Sequence, residues 1–224
     1  MLFTADFQLI LASQSPRRHS LLSDLGIPFT IVASEAKELT GVRPVSALAE
    51  ANALAKVRGA HLPEAIDKGA FVLGTDTLVS LGRKVMGKPG SAGEAAEMLA
   101  ALSGRRHCVI SGMALARLGG QSVDHPDTQL RVGSTSTKVA FARLDKGQMA
   151  AYVESGEWRG KAGGYAVQGL AGLFVRGLKG EYSNVVGLPL HLMYGLFTEL
   201  GFDLVRRNWI DRAGARGIGT GQSQ

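Results

Sequence analysis

Leu9-Ile10-Leu11-Ala12-Ser13-Gln14-Ser15-Pro16-Arg17-Arg18 carries an apolar run through a hydroxyl-rich turn into a helix start. Ser15 suits an N-cap, and Pro16 falls at N1, where its missing N–H costs nothing. Leu21, Leu22 and Leu25 then form a stripe at helical spacing, and Gly26 supplies a stop. The segment is therefore a strand, a turn and a helix, the first unit of an α/β chain. Arg17 and Arg18 sit in the first helical turn, against the helix dipole, unless an anion compensates. Helix N-terminal N–H groups and two forked guanidiniums together suit phosphate oxygens. Two solvated surface arginines are the plainer alternative.

The same alternation continues outward. Strands are expected at Phe7–Ala12, Phe29–Ala33, Phe71–Leu81 and Arg83–Met86. Helices are expected at Val45–Arg58, from the capping box Ser91-Ala92-Gly93-Glu94 to Ser103, at Lys146–Glu154 and at Pro189–Leu200. His107–Leu118 and Gly133–Leu144 read as an antiparallel hairpin with a long polar tip, Gly119–Leu130. In its second strand Thr135, Thr137, Val139 and Phe141 share a face. A short strand is expected at Leu173–Arg176. Some strands are joined by helices and others by direct turns, so the sheet is mixed and flanked by helices.

The chain has 224 residues and 45% apolar composition, enough for a sizeable core. Its net charge is +6, half of it from the tail beginning at Val205, where four arginines face Asp211 alone. A body this mildly basic, with no basic run interleaved with aromatics, fits a small anionic ligand and gives no sign of a specific nucleic-acid groove. The single cysteine, Cys108, allows no internal disulfide and reads as core. No apolar run approaches membrane-spanning length, and no secretory signal is read, so the cytoplasm is the expected compartment. From about Arg206 the glycine-rich tail, 206–224, is expected to be disordered beyond a single domain over 1–205.

Four further segments could carry chemistry. Asp76, in Gly74-Thr75-Asp76-Thr77, is a charge inside an apolar strand and is costly there unless paired or cation-bound. Lys88, in Gly87-Lys88-Pro89, is a loop point charge for phosphate. In Lys161-Ala162-Gly163-Gly164-Tyr165-Ala166-Val167-Gln168-Gly169 the glycines permit close approach, and Gln168 offers both a donor and an acceptor for a base edge. Glu35, at a strand end, could join Asp76 in holding Mg²⁺ or Mn²⁺. The five histidines show no metal-ligand spacing, and neither a P-loop nor a Gly-x-Ser-x-Gly elbow is present.

Together with Leu102-Ser103-Gly104 and Tyr182-Ser183-Asn184-Val185-Val186-Gly187-Leu188-Pro189, these segments resemble the Maf family of nucleoside triphosphate pyrophosphatases over about residues 8 to 202. The resemblance implies a Maf/ITPase-like fold of two closely joined lobes around a central cleft. It also implies cleavage between the α and β phosphates, a divalent metal cation and a cytoplasmic homodimer. It makes Asp76 the proton acceptor, with metal ligation left open as its other role. Arg17, Thr77 and Gln168 fall at the positions that separate substrate branches, and this set resembles the dTTP/UTP branch, with modified pyrimidine nucleotides in range. Ser13, Arg18 and Lys88 would hold phosphates. The alternatives are a pyrophosphatase for other nucleotides such as methylated GTP, or a non-catalytic nucleotide- or nucleic-acid-binding regulator of septum formation. Two departures stand out. Thr75 replaces a usual Ala or Ser, which would tighten the pocket. Asn52 aligns with a usual lysine, with Lys56 one turn further along the same expected helix.

Overall fold

The structure, a computed structural model, describes residues 2–41 and 44–210. Among these, nine strands and six helices follow in chain order: β1 (Leu9–Leu11), α1 (Pro16–Asp24), β2 (Thr30–Ile31), α2 (Val45–Arg58), β3 (Phe71–Leu81), β4 (Lys84–Met86), α3 (Ala92–Leu102), β5 (Arg106–Arg117), β6 (Gln129–Phe141), α4 (Lys146–Glu154), β7 (Val175–Lys179), α5 (Tyr182–Val186), α6 (Leu190–Glu199), β8 (Phe202–Asp203) and β9 (Asn208–Trp209). Seven strands make one mixed sheet in the order β2-β1-β3-β5-β6-β7, with β4 also paired to β3. β2, β1 and β3 run parallel, while β4 and β5 on β3, β6 on β5 and β7 on β6 are antiparallel.

The pairing leaves a gap at one place. β1 accompanies β3 only from Phe71 to Leu73, and β4 rejoins that edge only at Val79. Residues 74–78 of β3 thus have a ladder on one side, to β5, and an open edge on the other. Side chains alternate across a strand, so at an open edge neighbours from both faces can reach one space. Asp76 and Thr77 use this freedom.

Helix α2 lies over β3 and β5 because glycines let it approach. A Cβ at Gly74 would stand 2.5 Å from the Ala53 carbonyl oxygen, and one at Gly112 would collide with the Ala49 backbone. On the other sheet face, one apolar cluster gathers Phe71, Leu73 and Met113 under α6, and another gathers Val79, Val109 and Val139 under α3. They occupy opposite ends of β3.

Several boundaries differ from the expectation. β6 begins at Gln129, because β5 and β6 stay in register from Arg106↔Ala140 to Arg117↔Gln129, so the hairpin tip is shorter. β2 is only two residues long. The capping box of α3 is half formed: Ser91 accepts from Glu94 N, whereas Glu94 reaches Gly90 N. A complete box at Asp145 and Gln148 opens α4 instead. The tail boundary also moves. Residues 206–210 belong to the fold: β9 pairs with β8, Trp209 stacks on Phe71 at 5.7 Å, and Trp209 Nε1 donates to Asp6 at 2.7 Å. Residues 211–224 of the expected tail lie outside the described residues.

Candidate active site

The open edge of β3 floors a cleft of about 650 Å³, a size suited to a small ligand. The β1–α1 turn, from Ala12 to Arg18, forms one wall. The stretch from Arg159 to Gln168 forms the facing wall, and Lys88 and Glu38 stand at the rim. Arg17, Thr77 and Gln168, far apart in sequence, therefore open onto one space with Asp76.

Asp76 is buried, and its carboxylate is gripped at both oxygens. Lys56 Nζ lies 2.5 Å from Oδ1, and Asn52 Nδ2 donates to Oδ2 at 3.0 Å. Burial pushes this carboxyl up. The Lys56 charge and hydrogen bond, the Asn52 amide and the Arg18 charge more than offset that, holding it below the ordinary carboxylate value. The Lys56 ammonium also lies 3.6 Å from Glu38 Oε1, which in turn accepts from Lys88 Nζ at 2.9 Å. Asn52 does more than hold Asp76: its Oδ1 accepts from Leu39 N at 2.7 Å and ties down the loop bearing Glu38. Lys56, one helical turn beyond Asn52, thus brings a cation to the same carboxylate that Asn52 holds.

This arrangement has a pH signature. A carboxyl depressed in the folded state adds stability that is present above its unfolded value, near 3.8 here, and is lost as pH falls through the folded value. In Lys56→Met, burial acts against Asn52 and Arg18 alone, so the Asp76 carboxyl is expected to titrate higher than in the wild type. Carboxyl-carbon NMR titration reads this directly. An unchanged Asp76 titration would show that Lys56 does not set its charge.

Arg18 is a buried strut. Its Nε donates to Gly187 O at 2.8 Å, Nη1 to Ser13 Oγ at 2.9 Å and Nη2 to Thr77 Oγ1 at 3.2 Å. Burial lowers its pKa to about 10, with the Asp76 charge opposing, so it stays cationic at neutral pH. Thr77 Oγ1 continues the chain to Ser111 Oγ at 2.9 Å. Ser13, Arg18 and Thr77 thus form one connected group across the cleft floor. Among the described residues these three acceptors take three of the five guanidinium N–H donors of Arg18. Arg17 is half-buried and anchored by Nε to Val186 O at 3.2 Å, and Lys161, like Arg17, has its pKa lowered by burial.

Three expectations change. Glu35 does not line the cleft: it pairs with His61 at 3.0 Å, its side chain is 79% exposed, and Glu38 is the loop carboxylate that faces inward. Thr75 does not tighten the pocket, because its hydroxyl turns to Gly112 O at 2.9 Å and it is fully buried. Ser15 holds the N-cap position and lines the cleft, but its hydroxyl makes no cap hydrogen bond. Sequence reasoning passed over Glu38, Arg159 and, as site residues, Asn52 and Lys161.

In all, among the described residues, six cationic side chains line the cleft (Arg17, Arg18, Lys56, Lys88, Arg159 and Lys161) against the carboxylates of Glu38 and Asp76. That excess suits a polyphosphate. Among the described residues no cluster of three or more His, Cys, Asp and Glu could cage a metal. Two carboxylates do fit a cation whose other oxygens come from phosphates and water, as Mg²⁺ prefers.

The family described as Maf-like protein matches residues 8–200. The chain belongs to the Maf family. Among similar relatives, this Maf protein is 43% identical over 209 residues to the dTTP/UTP pyrophosphatase of Mesorhizobium japonicum, covering 91% of this chain and 96% of that one. It is 44% identical over 200 residues to the dTTP/UTP pyrophosphatase of Paramagnetospirillum magneticum, covering 87% and 97%. Of solved structures, the Staphylococcus aureus Ham1 protein aligns with a TM-score of 0.39 at 15% identity, covering 60% of this chain and 72% of that one.

Proposed function

We propose that this Maf protein hydrolyses dTTP and UTP to the nucleoside monophosphate and pyrophosphate. The observation that carries the reading is the meeting of Arg17, Asp76, Thr77 and Gln168 in one cation-rich cleft. The two relatives named above, both called dTTP/UTP pyrophosphatases, support it.

The chemistry follows from the contacts. Water attacks the α phosphorus, the bond to the bridging oxygen breaks, and pyrophosphate departs. Arg17, Arg159 and Lys161 embrace the phosphates at the walls and Lys88 at the rim, while Arg18 adds charge from the floor. Asp76 is anionic throughout the neutral range and, with two oxygens fixed, aligns the attacking water. Proton transfer runs late in a loose phosphoryl-type transition state, so a weak but well-placed base suffices. Glu38 and Asp76 would hold the divalent cation expected of this reaction, Mg²⁺ or Mn²⁺, in place of the Glu35–Asp76 pair. That cation, when bound, supplies charge neutralisation at the phosphate oxygens. Gln168, whose amide makes no hydrogen bond to another described residue, reads the base edge. A homodimer in the cytoplasm belongs to the same reading. No helix among the described residues is long and apolar enough to cross a membrane.

Pyrophosphate release from dTTP, UTP, CTP, GTP and a methylated GTP, each with and without magnesium, tests the proposal. UTP and dTTP are expected to lead, and Gln168→Ala to cost about tenfold of their kcat/KM, the value of one or two hydrogen bonds. Equal rates across the panel would refute the pyrimidine assignment.

A further inference from the structure

Gln168 sits in a tight turn. Gly169 N donates to Ala166 O at 3.1 Å, which makes Val167 and Gln168 its two central residues. Val167 packs against the apolar cluster under α3, but Gln168 itself is exposed at the tip of the turn. Both flanks of the Gln168 turn are tied to two side chains from α4 and the turn that follows it. Before the turn, Ala166 N donates to Tyr152 Oη at 3.3 Å. After it, Leu170 N donates to Glu157 Oε2 at 2.8 Å, and Ala171 N donates to Glu157 Oε1 at 3.3 Å. Tyr152 Oη closes the circuit by donating to Glu157 Oε1 at 2.9 Å. The carboxylate stands so close to the turn that a Cβ at Gly169 would collide with it.

We propose that Glu157 and Tyr152 are positioning residues for nucleobase selection, setting where the Gln168 amide stands in the cleft. This rests on the reading of Gln168 as the base sensor. The argument is one of leverage. A flexible amide pays rotamer and backbone entropy to order on binding. Fixing the backbone on both sides of Gln168 removes the backbone part in advance. Tyr152 is almost fully buried, and burial followed by the Glu157 carboxylate raises its pKa, so its hydroxyl stays a donor. Glu157 accepts from three donors, two at Oε1 and one at Oε2, so both of its oxygens are in use. A glutamine there keeps the shape and loses one acceptor. Neither residue lines the cleft, so neither touches substrate.

The test compares kcat and KM for UTP and CTP, with melting temperatures, in wild type, Glu157→Gln, Tyr152→Phe, Gln168→Ala and the double variant Glu157→Gln/Gln168→Ala. Each of the first two single changes is expected to raise KM for UTP by about fivefold to tenfold, the worth of one lost hydrogen bond, and to leave kcat unchanged. The UTP-over-CTP ratio of kcat/KM falls toward that of Gln168→Ala. The double variant falls no further than Gln168→Ala alone, because Glu157 acts through that amide. If Gln168→Ala lowers the ratio but Glu157→Gln and Tyr152→Phe change only the melting temperature, the pair is a plain brace and this inference is overturned while the reading of Gln168 stands. If Gln168→Ala itself leaves the ratio intact, the base-sensor assignment fails and takes the inference with it. Should Glu157→Gln not fold, Tyr152→Phe, which removes one oxygen and keeps the ring packing, decides alone.

Discussion

Asp76→Asn is expected to lower turnover by about a hundredfold to ten-thousandfold, the usual cost of losing a general base. The exchange is nearly isosteric, so the cleft keeps its shape. Its side effects are also legible. The new amide oxygen can still accept from Lys56, but the new NH₂ faces Asn52 Nδ2, itself a donor. Asn52 cannot flip to answer it, because its Oδ1 already accepts from Leu39 N. Two opposed buried donors cost about 1–3 kcal/mol of stability. Loss of turnover in the single variant could then be blamed on folding. The swap Asp76→Asn/Asn52→Asp separates the two causes. The carboxylate now at position 52 would accept from both Leu39 N and the amide now at position 76, so the melting temperature recovers. That carboxylate has moved onto α2, away from the strand position that faces the water, so turnover stays low. A double variant with wild-type turnover would remove Asp76 from the proton-accepting role.

Much of this site could be read locally. Arg17, Asp76, Thr77, Lys88 and Gln168 each sit in a short segment whose composition is odd for its element: a charge in an apolar strand, arginines at a helix start, an amide among glycines. Such oddities are visible without knowing what faces them. Glu38 carried no oddity of its own. It lies in an irregular loop, and what marks it is Lys88, fifty residues later, and Lys56 on α2. Glu35 looked equally good from its strand end, and only the path of the loop separates the two. The helical period places Lys56 on a face of α2 and says nothing of the strand beneath it, so Asp76 is not legible as its target. The C-terminal misreading has a similar origin. Glycine and arginine content suggested disorder, whereas Trp209 is held by Phe71, Phe202 and the guanidinium of Arg117. Contacts at such sequence separation leave no local trace. The sheet interior was read well for the opposite reason: in β6 the buried residues Thr137, Val139 and Phe141 alternate as the sequence does.

Gly112→Ala should be among the most damaging single-methyl changes in this chain, and it should damage activity as well as stability. A Cβ at this position would overlap the Ala49 carbonyl and the Glu50 nitrogen, both backbone atoms of α2. No rotamer change can relieve a collision between two main chains. The helix must lift, and overpacking of this kind costs about 1–3 kcal/mol or more. At roughly 2–4 °C per kcal/mol for a chain of this size, the loss is readily seen by calorimetry. The functional consequence follows from where α2 carries its polar groups. Asn52 and Lys56 lie one and two turns beyond Ala49, and they hold both oxygens of Asp76, which pairs across the sheet with Gly112 itself. A helix displaced at Ala49 withdraws the amide and the ammonium from the carboxylate, so turnover should fall even at temperatures where the variant is fully folded. Gly177→Ala in β7 is the matched control, since a Cβ there meets nothing within 4 Å. If Gly112→Ala melts and turns over like Gly177→Ala, then close approach of α2 to the sheet is not what brings Asn52 and Lys56 to Asp76.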